Sequence, residues 1–422
     1  MLPFSTILGI FEQKSYPTRV GFSATMSTII SIGTAVPQYS VKQSTILEFM
    51  KTEYNDDTAS RKLNILFHNS GINTRYSVVP DFGNNKTENS FFNINQRVPD
   101  VTQRLNIFKE VAATLAIAAM IDAFQKLNTS LSDFKITHLI TVTCTGIYAP
   151  GLGAALIEQL NLPEDIFHTA INFMGCNAAF PALNLADMIT KTDENAKVLI
   201  VCVELCTLHF QAVDNSDNLL ANTIFGDGAA AVVVVSDTAT KKNHQAGLSV
   251  NGFYSLLLNK GKNLMGWNIT TVNFEMVLDT GIPEFIGNEV NEIVMKASKK
   301  LKTNPSVIDK WAIHPGGKKI LDSIKEQMKL SDSDLHYSYK VLSDYGNMSS
   351  PTILFVLNEI MQAEHVEGET IFSIGFGPGL SIETALLTYV TNMLEKSNAI
   401  EIANSTKLIP HSSNKHEVVS IL

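Results

Sequence analysis

Cysteine is scarce in this 422-residue chain: Cys144, Cys176, Cys202 and Cys206 are the whole complement. None forms a CxxC pair, and Cys202-x-x-x-Cys206 has no second Cys or His pair at zinc-site spacing. Neither a structural metal site nor a disulfide framework is therefore expected, and a reducing, cytoplasmic setting is the default. Charge is sparse as well, at 17% of residues against about 25% in an average soluble domain. With 45% apolar residues, that composition excludes disorder for the bulk of the chain. The 32 basic and 41 acidic residues leave a net charge of −9, which argues against nucleic-acid binding by phosphate neutralisation. Long apolar runs are missing too. The longest candidate, Ala229–Val235, has seven residues, far short of the roughly 18 needed to span a bilayer. Residues 1–26 lack a basic leading segment and are interrupted by Glu12, so they read as an N-terminal extension rather than a signal peptide.

What is present has the grammar of an α/β enzyme. Residues 27–37 (STIISIGTAVP) predict a strand running into a Gly/Pro turn, and 40–70 carry a helix-like pattern. Residues 80–100 form a polar excursion without a period. The alanine-rich stretch 104–127 predicts a long helix buried on most faces, and 137–146 a buried strand followed by a helix over 151–162. A short strand then ends in Asn172-Phe173-Met174-Gly175-Cys176, with a helix expected from Asn177 to about residue 190. Residues 197–206 (KVLIVCVELC) and 229–237 (AAAVVVVSD) are continuous apolar strands, the kind covered on both faces. Strands and helices alternate again up to a final strand at 381–390, with a strand-turn expected at 343–350 (SDYGNMSS), and a polar tail begins near residue 391. Gly175-Cys176 and Gly346-Asn347 echo each other: a polar residue after glycine, small residues, then a helix. The echo points to a duplicated unit with one functional residue at each helix start.

Three residues are candidates for chemistry. Cys176 opens a helix among small neighbours, where unpaired backbone N–H groups favour thiolate and a substrate can approach the sulfur; the plain alternative is a buried structural cysteine. His314 ends the strand DKWAIHPGG, and α/β sheets place catalytic groups at strand ends; the alternative is a satisfied core histidine. Asn347 is either a catalytic amide or a turn residue. Together they put Cys, His and Asn at the ends of three separate strands, in that order.

At this point the chain resembles a known family. IGTAVP (32–37), GCNAAF (175–180), FGDGAAA (225–231), HPGGKKIL (314–321), GNMSSP (346–351) and GFGPGLSIET (375–384) are similar to the motifs of type III polyketide synthases, the chalcone synthase superfamily, from about Ser27 to Val390. The resemblance implies a thiolase-like fold with a duplicated, five-layered αβαβα core: an N-terminal half over 27–240 carrying Cys176, a C-terminal half over 241–390 carrying His314 and Asn347, and a tail over 391–422. It implies a homodimer with no cofactor, which takes acyl-CoA and malonyl-CoA as substrates. Cys176 would accept the acyl group, while His314 and the amide of Asn347 would act on the malonyl thioester. It also implies that Phe225 and Phe274 guard the cavity, that Gly377 and Ser349 border it, and that Lys62 meets CoA phosphates, whereas Asn69 replaces a second basic residue. Lys318 and Lys319 are the substitutes for that contact. Ala149 stands where plant enzymes carry a methionine that reaches into the partner's cavity, and Cys144, Cys206 and His209 also depart from the plant pattern. Leu152, Ala154 and Ala155 keep that neighbourhood apolar. The departures resemble microbial members and point to a fatty or otherwise elongated starter. Competing readings are a ketoacyl-ACP synthase III-like condensing enzyme, a papain-like thiol hydrolase and a non-catalytic thiolase-fold binding protein. GFGPG, the missing papain-type cysteine signature and the complete triad argue against each in turn.

Overall fold

The computed structural model describes residues 26–83, 90–92, 98–237, 239, 246–271 and 273–391. The expected extension and tail therefore lie, apart from Met26 and Thr391, outside the described residues. The strands are β1 (Ser27–Ala35), β2 (Tyr39–Lys42), β3 (Thr74–Ser77), β4 (His138–Thr143), β5 (Phe167–Asn172), β6 (Lys197–Leu205), β7 (Asp227–Ser236), β8 (Gly247–Leu257), β9 (Met265–Ile269), β10 (Phe274–Leu278), β11 (Lys310–Ile313), β12 (Thr370–Gly377) and β13 (Ser381–Val390). Nine of them form a mixed sheet in the order β11-β12-β13-β8-β1-β7-β6-β4-β5.

Two runs in that order share one pairing pattern. β4 and β6 are parallel, then β6–β7 and β7–β1 are antiparallel. β11 and β12 are likewise parallel, then β12–β13 and β13–β8 are antiparallel. The two copies meet where Ser27–Ile29 of β1 pairs with 248–250 of β8. The helix Val101–Lys126 covers β1, β7 and β6 on one outer side. The helices Ala179–Thr192 and Thr352–Met361 lie between the copies, and Ile282–Leu301 and Lys318–Met328 cover the other outer side. This is the layered α/β arrangement expected.

Sequence pattern explains most of it. Every residue of β7, and all of β6 except Lys197, is buried, as continuous apolar strands between two helical layers should be. The helix Val101–Lys126 corrects the expectation of burial on most faces. Its buried residues (Arg104, Phe108, Ala112, Ala116, Ala119, Ala123 and neighbours) form one stripe, and Ile121 is exposed. Its alanines serve close approach instead: a Cβ on Gly33 of β1 would lie 2.2 Å from the Ala119 carbonyl oxygen. The expected strand-turn at 343–350 is also corrected. Ser338, Val341 and Leu342 recur at helical spacing and are buried, so His336–Tyr345 is a helix, ended by Gly346 at φ +70°. Asn347 then forms an isolated parallel bridge with Phe225 instead of ending a strand.

Candidate active site

The turn after β5 delivers Cys176. Phe173 (φ +60°) and Gly175 (φ +88°) bend the chain, and the helix begins at Ala179, three residues beyond the cysteine, not at Asn177. Glycine is required at 175 because a Cβ there would sit 2.2 Å from Cδ of Pro378. Asn177 Nδ2 donates to Ser381 Oγ at 2.9 Å, so the cysteine turn of one copy is seated on the GFGPG loop of the other. Gly377 contributes differently from expectation. A Cβ there would meet Asn177 Oδ1 at 2.4 Å, and it is Pro378, not Gly377, that lines the cavity.

That cavity is narrow, with about 60 Å³ of room for the centres of water molecules. Cys144, Cys176, Cys206, His209, Phe225, Phe274 and Ser349 all border it. Asn347 Nδ2 points at Cys176 Sγ from 3.9 Å and donates to the Gly316 carbonyl at 3.3 Å. Its Oδ1 accepts the Ser349 N–H at 2.8 Å, which keeps the NH₂ side of the amide toward the sulfur. Gly316 belongs to the turn after β11 that also carries His314, whose N–H donates to the Ile374 carbonyl at 2.8 Å. The His314 ring is buried, and neither of its nitrogens has a hydrogen-bond partner among the described residues.

Burial governs the charges here. It pushes the Cys176 thiol up to about 11, while hydrogen bonds from Ser349 and Asn347 to the sulfur work the other way. It pulls His314 down to about 3. A lone thiolate or a lone imidazolium is therefore disfavoured.

The cavity wall joins His209 and Phe274, both expected from the sequence, to Trp267, which the sequence did not single out. His209 Nε2 faces the Thr145 carbonyl at 2.8 Å and must donate, while Nδ1 accepts the Phe274 N–H at 3.3 Å. The ring is thus the neutral Nε2–H tautomer, in keeping with burial that pulls it down to about 3. It stacks on Phe274 with centroids 4.4 Å apart, and Trp267 stands edge-on to both rings. The Trp267 indole N–H donates to the Cys144 carbonyl at 2.7 Å, pinning the β9–β10 hairpin to the wall. One of only two tryptophans, seven residues before Phe274, was the available signal. Glu204, the lone acid of the apolar strand KVLIVCVEL, accepts from Cys144 N, Thr145 N, Thr145 Oγ1 and, at 2.6 Å, Ser350 Oγ. It ties the end of β4 to the turn that holds Asn347.

Two expected residues lie elsewhere. Ala149 is exposed and Lys62 is paired with Asp214 at 2.9 Å; neither borders the cavity of this chain, and His314 and Asn347, though buried, are not among its lining residues either. Among the described residues no group of three or more His, Cys, Asp or Glu could hold a metal ion, and no helix is long and apolar enough to cross a membrane.

Comparison with known proteins agrees with this geometry. The family model for the chalcone and stilbene synthase N-terminal domain matches residues 16–238, and the C-terminal domain model matches 254–391. A Dictyostelium discoideum protein described as probable polyketide synthase 1 is 30% identical over 90% of this chain, which spans only 12% of that much longer protein. The alpha-pyrone synthesis polyketide synthase-like Pks18 of Mycobacterium tuberculosis is 29% identical, with 87% of this chain and 92% of its own length covered. Among solved structures, PKS-I from the brown alga Ectocarpus siliculosus superposes with a TM-score of 0.80 at 26% identity, covering 87% of this chain and 100% of that one. The type III domain of the Dictyostelium hybrid Steely1 gives 0.78 at 28% identity, with the same coverage of both chains. With an asparagine amide set between a buried cysteine and a histidine-bearing turn where two copies of an α/β unit meet, the chain belongs to the chalcone and stilbene synthase family and is a type III polyketide synthase with a thiolase-like fold.

Proposed function

We propose that Cys176 takes an acyl group from a CoA thioester and extends it by decarboxylative condensation with malonyl-CoA, and that the chain is released as a cyclised pyrone, resorcinol or phloroglucinol-type product. The observation that carries this reading is the buried Asn347 amide aimed at Cys176 Sγ from 3.9 Å. The thiolate attacks the starter's thioester carbonyl and expels CoA thiolate. Malonyl-CoA then loses carbon dioxide, and the electron pair left behind becomes an enolate whose oxygen needs donors; the Asn347 NH₂ and a ring N–H of His314 supply them. The enolate carbon attacks the acyl carbonyl on Cys176, forms the new carbon–carbon bond and releases the thiolate. A carboxylate at 347 would repel the enolate oxygen.

Phe225, Phe274, Trp267 and Met265 give the cavity an apolar wall that favours an elongated acyl starter over a polar one. A homodimer is part of the same reading: β5 is an edge strand, and Phe167, Ile147 and Met174 nearby in the chain are 60%, 42% and 42% exposed. In that dimer the exposed Ala149 would leave room beside the partner's cavity. We further propose halves bounded at 27–240 and 241–390, CoA phosphates near Lys62, CoA thioesters as the only small molecules required, and a cytoplasmic setting consistent with four free cysteines.

The test compares kcat/KM for acetyl-, coumaroyl-, hexanoyl- and lauroyl-CoA with malonyl-CoA, identifies products by mass spectrometry and repeats the series with Ala149→Met. Lauroyl-CoA should lead the series, and Ala149→Met should shift the preference toward shorter starters, each buried methylene being worth about 0.8 kcal/mol. A poor rate with lauroyl-CoA, or an unchanged preference in Ala149→Met, would sink the elongated-starter reading.

A further inference from the structure

Arg75, on β3, is a fully enclosed cation that borders the reaction cavity and forms no ion pair among the described residues. Burial pulls its guanidinium down to about 9. The charge it feels is Asp227, whose carboxylate is already occupied by the Thr207 N–H and hydroxyl and by the Val78 N–H. An unpaired buried cation is costly, so what it holds needs explaining.

What it holds is backbone. Nε donates to Gln43 Oε1 at 2.8 Å, and Nη1 donates to the carbonyls of Asn222 at 2.8 Å and Phe225 at 2.6 Å. These carbonyls bracket the end of the helix Ser216–Ile224. The residues between and beside them grip Asn347: its N–H donates to the Ile224 carbonyl at 2.9 Å, and its carbonyl accepts the Gly226 N–H at 3.0 Å. The arginine stem closes the arrangement from below. A Cβ on Gly346 would lie 2.9 Å from Arg75 Cγ and 3.0 Å from its Cδ. Glycine before Asn347 thus makes room for the arginine as well as supplying φ +70°.

We propose that Arg75 is a positioning residue for the condensation reaction: its planar fork fixes the 222–226 backbone, and through it sets the cavity-lining Phe225 and the Asn347 amide in one geometry. The fork is what matters. A lysine keeps the charge but cannot hold Gln43 and two carbonyls at fixed angles.

The proposal rests on the reading that Asn347 promotes malonyl-CoA decarboxylation. The experiment measures acetyl-CoA formation from malonyl-CoA, and iodoacetamide alkylation of Cys176, in the full chain and in Arg75→Lys, Asn347→Ala and the double variant. Arg75→Lys should slow decarboxylation about 10–100-fold, the scale of a small misplacement of a catalytic group, while Cys176 alkylation is retained. The double variant should be no slower than Asn347→Ala alone, because Arg75 acts through Asn347. Losses that multiply in the double variant, or an unchanged rate in Arg75→Lys, would overturn the proposal. If Asn347→Ala itself decarboxylates normally, the functional reading fails and takes the proposal with it. Should Arg75→Lys not fold, Gln43→Met removes only the acceptor at Nε; it should slow decarboxylation with the same non-additivity toward Asn347→Ala, and multiplying losses would again overturn the proposal.

Discussion

Burial sets the reactivity of Cys176 more than the nearby helix does. The helix begins three residues later, so its N-terminal partial charge reaches the sulfur weakly, whereas desolvation acts on the thiol directly. In the proposed mechanism the proton acceptor is His314, which predicts the behaviour of His314→Ala. A thiol pushed up to about 11 carries little thiolate below that pH, and its thiolate fraction rises about tenfold per pH unit on the way up. Alkylation of Cys176 in His314→Ala should therefore be far slower than in the unmodified chain at pH 7, and should climb steadily through pH 9. A plateau below pH 8 in that variant would show that something other than His314 takes the proton. Cys176 and Asn347 were legible in the sequence because a glycine-led turn marks each of them. Arg75, Glu204 and Trp267 were not, because their partners lie far away in the chain: Arg75 holds residues 222 and 225, and Trp267 holds Cys144.

At the scale of elements, the continuous apolar strands β6 and β7 and the middle-layer helices were readable because burial on both sides leaves no polar positions to confuse the pattern. The helix His336–Tyr345 was not, since Tyr337, Tyr339, Ser343 and Tyr345 at its half-buried positions hide the spacing of Ser338, Val341 and Leu342. Its end explains the GNMSS motif physically. Gly346 has φ +70°, and a Cβ there would lie 2.8 Å from the Ile224 carbonyl oxygen. Gly368 has a comparable φ of +84° with nothing within 4 Å of its virtual Cβ. Gly368→Ala should then cost only the left-handed backbone penalty, about 1–2 kcal/mol, measured by urea denaturation. Gly346→Ala should cost clearly more and slow the enzyme as well. Equal costs would mean that the contacts with Ile224 and Arg75 do not constrain the turn.

For the whole molecule, the duplicated pairing pattern explains why the site is composite: one copy supplies Cys176, the other supplies His314 and Asn347, and the two are locked by Asn177 on Ser381. The same architecture ends at β5, whose outer edge is unpaired among the described residues. Phe167→Glu should convert a dimer into monomers in light scattering, and a monomeric unmodified chain would contradict the proposed assembly. The duplication was visible in the sequence only as the echo of Gly175-Cys176 in Gly346-Asn347, because the pairing of β1 with β7 and β8 joins residues more than 190 positions apart. The central claim, that Cys176 carries the growing chain, is tested most directly by mass spectrometry of the intact protein and its peptides after exposure to an acyl-CoA and malonyl-CoA. The account predicts an acyl adduct on the Cys176 peptide that lengthens by ketide units and vanishes in Cys176→Ala. An adduct on Cys144 or Cys206, or polyketide still made by Cys176→Ala, would contradict it.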